Sequence, residues 1–143
     1  MIPLTLAIAL VIGTWEITKI PDKITGKQNC YVMHSKDNKV RLEKDRLRVV
    51  FDIPWPTVRF RFDDGKVIYS LHGPVLRTGQ RVSYNNGHLP LSDFNIDTIA
   101  KARRLRYSAG NPPSEIFSDI EMAETAKVLA YLQNKEECQN GGR

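Results

Sequence analysis

Apolar and polar residues alternate along much of this chain, and the alternation predicts strands. In "WEITKI" Trp15, Ile17 and Ile20 lie close to one face. "PDKITGK" then supplies Pro21, Asp22 and Gly26, residues with defined turn preferences. "NCYVMHS" reads as a second strand and "KDNK" as another turn, so the opening is a hairpin. "LRVVFDI" is a strand ended by Pro54 and Pro56, which cannot donate to a ladder. In "TVRFRFDDGKVIYSL" Val58, Phe60 and Phe62 alternate with Arg59 and Arg61, and Asp64-Gly65 marks a tight turn. That hairpin has one apolar and one cationic face.

The stretch "HGPVLRTGQRVSYNNGHLPL" reads as loops with a short strand near "QRVSY". Capping residues in "SDFNIDTIAKARRL" predict a short helix over about 97–102. "RRLRYSA" and "SEIFSDI" are strands separated by the breaker "GNPP". "EMAETAKVLAYLQNKEE" is a helix with Met122, Ala126, Leu129 and Ala130 on its apolar stripe, widened by Val128 and Leu132. Acidic residues begin it and Lys135 lies near its end, as the helix dipole prefers. The predicted fold class is α+β: an antiparallel, sandwich-like sheet with one short helix and a C-terminal helix. Trp15 is its expected core or edge anchor.

Composition sharpens this picture. A chain of 143 residues with 41% hydrophobic and 26% charged content suits one globular domain with a true core. The net charge of +5 and pI of about 9.3 suit an anionic partner, whether nucleic acid, lipid surface or acidic protein. Both signs are interspersed, and a soluble surface with a modest basic excess is the simpler account.

The uncharged start, "MIPLTLAIALVIG", is shorter than the about 20 apolar residues needed to span a bilayer. It fits the apolar core of a secretory leader, with Val11 and Gly13 before a cut ahead of Thr14, although no Lys or Arg precedes it. The other reading is a buried first strand running into "TWEITKI". The expected organisation is a leader over 1–13 and a single β-rich domain over 14–143, in the periplasm or outside the cell. Cys30 and Cys138, far apart in sequence, suit one structural disulfide in an exported protein. Two unrelated buried thiols are the alternative. With no C-x-x-C, neither a redox motif nor a zinc knuckle is indicated.

Little else points to chemistry. His34, His72 and His88 are scattered, so neither a metal site nor a cofactor is expected. Hydrolase, metalloprotease, Walker and dinucleotide motifs are missing, and the expected protein is not an enzyme. A hydrolase whose site assembles from distant residues is a remaining alternative. Asp63 and Asp64 are expected to close the tight turn and pair with Arg59 or Arg61. Arg61 and Asp63, two apart on a strand, would share a face, making Arg59, Arg61 and Asp63 a candidate recognition face. Lys101, Arg103, Arg104 and Arg106, with Tyr107, form a candidate basic strip for nucleic acid. Ala102, Leu105 and Tyr107 interrupt it, which would divide its charges between faces.

The order of motifs carries a resemblance. A Trp-led strand is followed by D-x-x-T-G-K-x-x-C (Asp22, Thr25, Gly26, Lys27, Cys30) and an R-F-D-D-G hairpin. A basic A-K-A-R-R-L-R-Y strand follows, and then a short strand leading into a helix that closes on Cys138. Over residues 14–138 this resembles the small periplasmic proteins of the invasion-associated locus B type and the periplasmic accessory proteins of type VI secretion systems. The resemblance implies an exported, disulfide-containing β-rich domain with a C-terminal helix and no known catalytic residues. The expected function is that of a non-enzymatic binding or accessory protein whose partner is an envelope or host protein.

Overall fold

The computed structural model describes residues 8–51, 58–70, 76–78, 81–83, 87–91, 95–110 and 113–139. Pro54, Pro56 and His72, residues 1–7 of the expected leader, and part of the "GNPP" breaker lie outside them.

Period-two alternation builds a six-stranded antiparallel sheet from β1 (Ile8–Ile12), β2 (Trp15–Pro21), β3 (Gln28–His34), β4 (Val40–Glu43), β5 (Arg46–Val49) and β10 (His88–Pro90), in that spatial order. Its register sets Ile17 opposite Val32, and Leu42 opposite Leu47, with all four side chains buried. The strand β4 is not predicted by the sequence: "KVRLEKDRLRV" is a second hairpin, only half of which stood out as apolar.

A four-stranded antiparallel sheet runs β12 (Ile116–Glu121), β11 (Arg104–Ala109), β6 (Val58–Phe62), β7 (Val67–Tyr69). The predicted Asp64-Gly65 hairpin joins β6 to β7. β8 (Leu76–Thr78) and β9 (Arg81–Ser83) pair separately. Val58, Phe60 and Phe62 point inward with Leu105, Tyr107 and Ala109, and join Trp15, Ile17, Val32, Leu42 and Leu47 in one contiguous core. The Tyr107 ring meets Phe51 and Phe60 at 6.4 Å between centroids. The architecture is α+β, with sandwich-like antiparallel sheets and two helices, α1 (Ile96–Lys101) and α2 (Thr125–Gln133).

The helix α2 is shorter than its apolar pattern suggests. Met122 donates its backbone N–H to the Arg103 carbonyl at 2.8 Å, so sheet pairing holds it extended. Glu124 then takes a left-handed conformation, φ 64°, and only afterwards does the helix begin. The buried stripe is therefore Thr125, Val128, Leu129 and Leu132, while Ala126 and Ala130 face solvent. Lys135 lies in the turn beyond the helix, not in its last turn.

Residues 8–12 of the expected leader form the outermost strand of the six-stranded sheet, with Leu10 opposite Ile17. It is an exposed edge strand and not a buried one, since Leu10 and Val11 both reach solvent. Its turn back into β2 needs glycine: Gly13 has φ +59°, and a Cβ there would come within 2.3 Å of the Ala123 carbonyl oxygen.

Cys30 and Cys138 form a disulfide across 108 residues of sequence, with both side chains buried. Cys30 sits on an interior strand, between β2 and β4, and not at an edge. The bond is one of several ties on the C-terminal segment. Lys19 pairs with Glu137, and the Tyr131 hydroxyl donates to the same carboxylate at 3.1 Å. Gln139 donates its backbone N–H to the Gln28 carbonyl and its amide to Asp22 and Asn29. The segment from Glu137 to Gln139 is thus pinned along the β2–β3 hairpin.

Candidate binding face on the four-stranded sheet

Inward burial of Phe60 and Phe62 obliges their neighbours Arg59 and Arg61 to face out, because side chains alternate along a strand. The same rule places Leu105, Tyr107 and Ala109 inside and Arg104, Arg106 and Ser108 outside. The register then aligns the outward residues in rows. Phe117, Ser108, Arg59 and Tyr69 cross the sheet in one row, and Asp119, Arg106, Arg61 and Val67 in the next. Two groups separated in sequence, Arg59 with Arg61 and the Arg104–Arg106 end of the basic strip, share one surface.

Like charges directly opposite on adjacent strands repel, and Arg61 is opposite Arg106. Both guanidinium groups are drawn to the β6–β7 turn. Arg61 donates to the Gly65 carbonyl at 3.0 Å, and Arg106 to the Asp63 carbonyl at 2.7 Å and the Asp64 carboxylate at 3.5 Å. Arg59 is held by the Ser108 hydroxyl at 3.1 Å and by Glu115 at 2.8 Å. Arg104 is gripped by both carboxylate oxygens of Asp119, at 3.1 and 3.0 Å. Arg59, Arg61, Arg106, Val67, Ser108 and Phe117 surround a hollow of about 190 Å³.

Asp63 does not belong to this recognition face. It lies past the end of β6 in the left-handed region, φ 52°, so its side chain does not share the face of Arg61. Its carboxylate accepts the backbone N–H groups of Arg103 and Arg104, both at 3.0 Å. The expected pairing of Asp63 or Asp64 with Arg59 or Arg61 is replaced by these backbone contacts and by Arg106. The basic strip is also divided. Lys101 ends α1, Arg103 is exposed in the connection to β11, and Arg104 and Arg106 are engaged by carboxylates.

Two polar clusters were not anticipated from sequence. Asp37, in the β3–β4 turn, accepts the hydroxyl protons of Tyr107 and, at 2.8 Å, Ser118, tying one sheet to the other. Burial pushes the Asp37 carboxyl up, but the Tyr107 and Ser118 hydroxyls and the Lys39 amide outweigh it and leave it below the usual Asp value. Burial, with Asp37 alongside, pushes the Tyr107 hydroxyl well above the ordinary tyrosine value. Glu43, almost fully buried, accepts from Arg46 at 2.8 Å and Arg48 at 3.0 Å. The signal for Glu43 was the alternation in "RLEKDRLR", visible only once β4 is recognised. Nothing in the chain near Asp37 announces its partners 70 and 81 residues away.

His34 is a core residue. Its Nδ1 accepts the Lys36 backbone N–H at 3.1 Å, which leaves Nε2 to donate to the Glu121 carbonyl at 2.6 Å. The His88 side chain is not among the described groups. Among the described residues no three His, Cys, Asp or Glu side chains gather as metal ligands. No helix among them is long and apolar enough to cross a membrane.

Compared with protein-family models, curated proteins and solved structures, the chain finds no match in any of the three.

Proposed function

We propose that this protein is a non-enzymatic binding or accessory protein of the periplasm or cell exterior, and that it meets its partner through the outer face of the four-stranded sheet. The observation that carries the reading is the meeting of Arg59, Arg61 and Arg106 with exposed Phe117 and Tyr69 on that face. Arginine and aromatic side chains are the types enriched at protein interfaces. A disulfide closed across the domain supports an oxidising compartment. The resemblance to periplasmic accessory proteins of the invasion-associated locus B and type VI secretion groups points the same way.

The test is photo-cross-linking in the bacterial envelope. A benzoylphenylalanine replaces Phe117 in one sample and Lys36, on the β3–β4 turn, in another. A discrete adduct from position 117 and none from position 36 is the expected result. Identical adduct patterns from the two positions would refute the binding face. Intact mass with and without reduction, on protein made with its own N-terminus, tests export: loss of residues 1–13 and blocked thiols are expected.

A further inference from the structure

The hollow on this face has a chemistry narrower than its overall charge suggests. Three of the four outward arginines already have carboxylate partners: Arg59 has Glu115, Arg104 has Asp119 and Arg106 has Asp64. Among the described residues, Arg61 bonds only to the backbone carbonyls of Gly65 and Asp64. It meets no carboxylate among the described residues. Arg106, opposite it on β11, is already bonded to the Asp63 carbonyl and the Asp64 carboxylate. Among the described residues, the hollow therefore offers about one unneutralised cation, Arg61. Phe117 stands beside it, 62% exposed, with Val67 across from it at 50%.

This inventory separates ligand classes. A nucleic-acid backbone needs several phosphates neutralised together, and here Glu115, Asp119 and Asp64 stand among the arginines and would repel it. A single carboxylate limits that repulsion, because it needs only Arg61. The exposed Phe117 and Val67 call for an apolar group next to the carboxylate. A volume of about 190 Å³ admits one side chain.

We propose that the hollow binds a single carboxylate side chain flanked by an apolar residue, presented by a partner protein. This deepens, and rests on, the reading of the sheet face as a partner-binding surface. The carboxylate takes charge-assisted hydrogen bonds from Arg61, and the apolar neighbour covers the Phe117 ring.

The test uses the oxidised full chain, labelled with nitrogen-15, and the capped peptide Phe-Asp-Leu, with Phe-Asn-Leu as its neutral counterpart. Perturbed resonances should cluster on β6, β11 and β12, and the Asn peptide should bind more weakly by on the order of tenfold or more. Arg61→Gln should cause a comparable loss, while Arg103→Gln, at an exposed position off the hollow, should not. Equal binding of the two peptides, perturbations elsewhere, or no perturbation at millimolar peptide would each overturn the proposal. So would a thymidine oligonucleotide or anionic lipid vesicles occupying the face more tightly at the same salt. If the Phe117 cross-link survives Arg61→Gln and the peptides do not bind, only the carboxylate subsite fails. If the peptides bind but position 117 gives the same adducts as position 36, only the partner-surface reading fails.

Discussion

The indole Nε1 of Trp15 donates to the Thr125 hydroxyl at 3.0 Å across 110 residues of sequence. Trp15 opens β2 and Thr125 opens α2, so the bond fastens the first turn of the helix to the six-stranded sheet. Both side chains are buried, and the His34 ring lies edge-on to the indole at 5.4 Å.

Thr125→Val keeps the shape and removes the acceptor. The indole N–H is then buried without a partner, which costs about 1–3 kcal/mol. Urea unfolding should show a lower midpoint with an unchanged slope. With Trp15→Phe already present, the same change should cost clearly less, because the donor is gone.

The Cys30–Cys138 bond closes a loop of 108 residues. In the chain-entropy model such a closure is worth about 4–5 kcal/mol. The double variant Cys30→Ser, Cys138→Ser should therefore melt far below the oxidised protein. Because both sulfurs are buried, a thiol reagent should label the reduced protein slowly until it unfolds. Rapid labelling of the reduced, folded chain would contradict the packing.

Asp37 and Tyr107 predict stability limits at both ends of the pH scale. The Asp37 carboxyl is held below its ordinary value in the fold. Its contribution is complete above about pH 4, the unfolded value, and disappears as pH falls through the folded one. Tyr107 is shifted upward, so its contribution is complete below about pH 10 and declines as alkali ionises the hydroxyl. Melting temperature against pH should fall at each limb. Asp37→Asn should flatten the acid limb, and Tyr107→Phe the alkaline one.

Asp63 serves the turn. Asp63→Asn retains an acceptor oxygen and a residue tolerant of φ 52°, and should stay near the wild-type stability. Asp63→Ala loses both bonds to the Arg103 and Arg104 amides and adds left-handed strain, for a cost of about 1–3 kcal/mol. A recognition role would reverse the order of interest: both variants would then keep their stability and lose the partner.

The alternation Val58-Arg59-Phe60-Arg61-Phe62 by itself determined that one face of the hairpin is apolar and the other cationic, because a strand turns successive side chains to opposite sides. Other local signals determined the β2–β3 hairpin (alternation around the Pro21–Gly26 turn residues), the Asp64-Gly65 turn and the short helix α1 (its capping residues). Tertiary structure decided what those local rules leave open. Register alone set Arg106 opposite Arg61 and made one surface from two segments. The extended pairing of Met122 with Arg103 delayed α2 and changed its buried stripe. The ties of Asp37 to Tyr107 and of Trp15 to Thr125 exist only after the sheets and helix have packed. Propensity and periodicity act over a few residues, whereas a hydrogen bond across 70 or 110 positions depends on where the whole chain brings its ends.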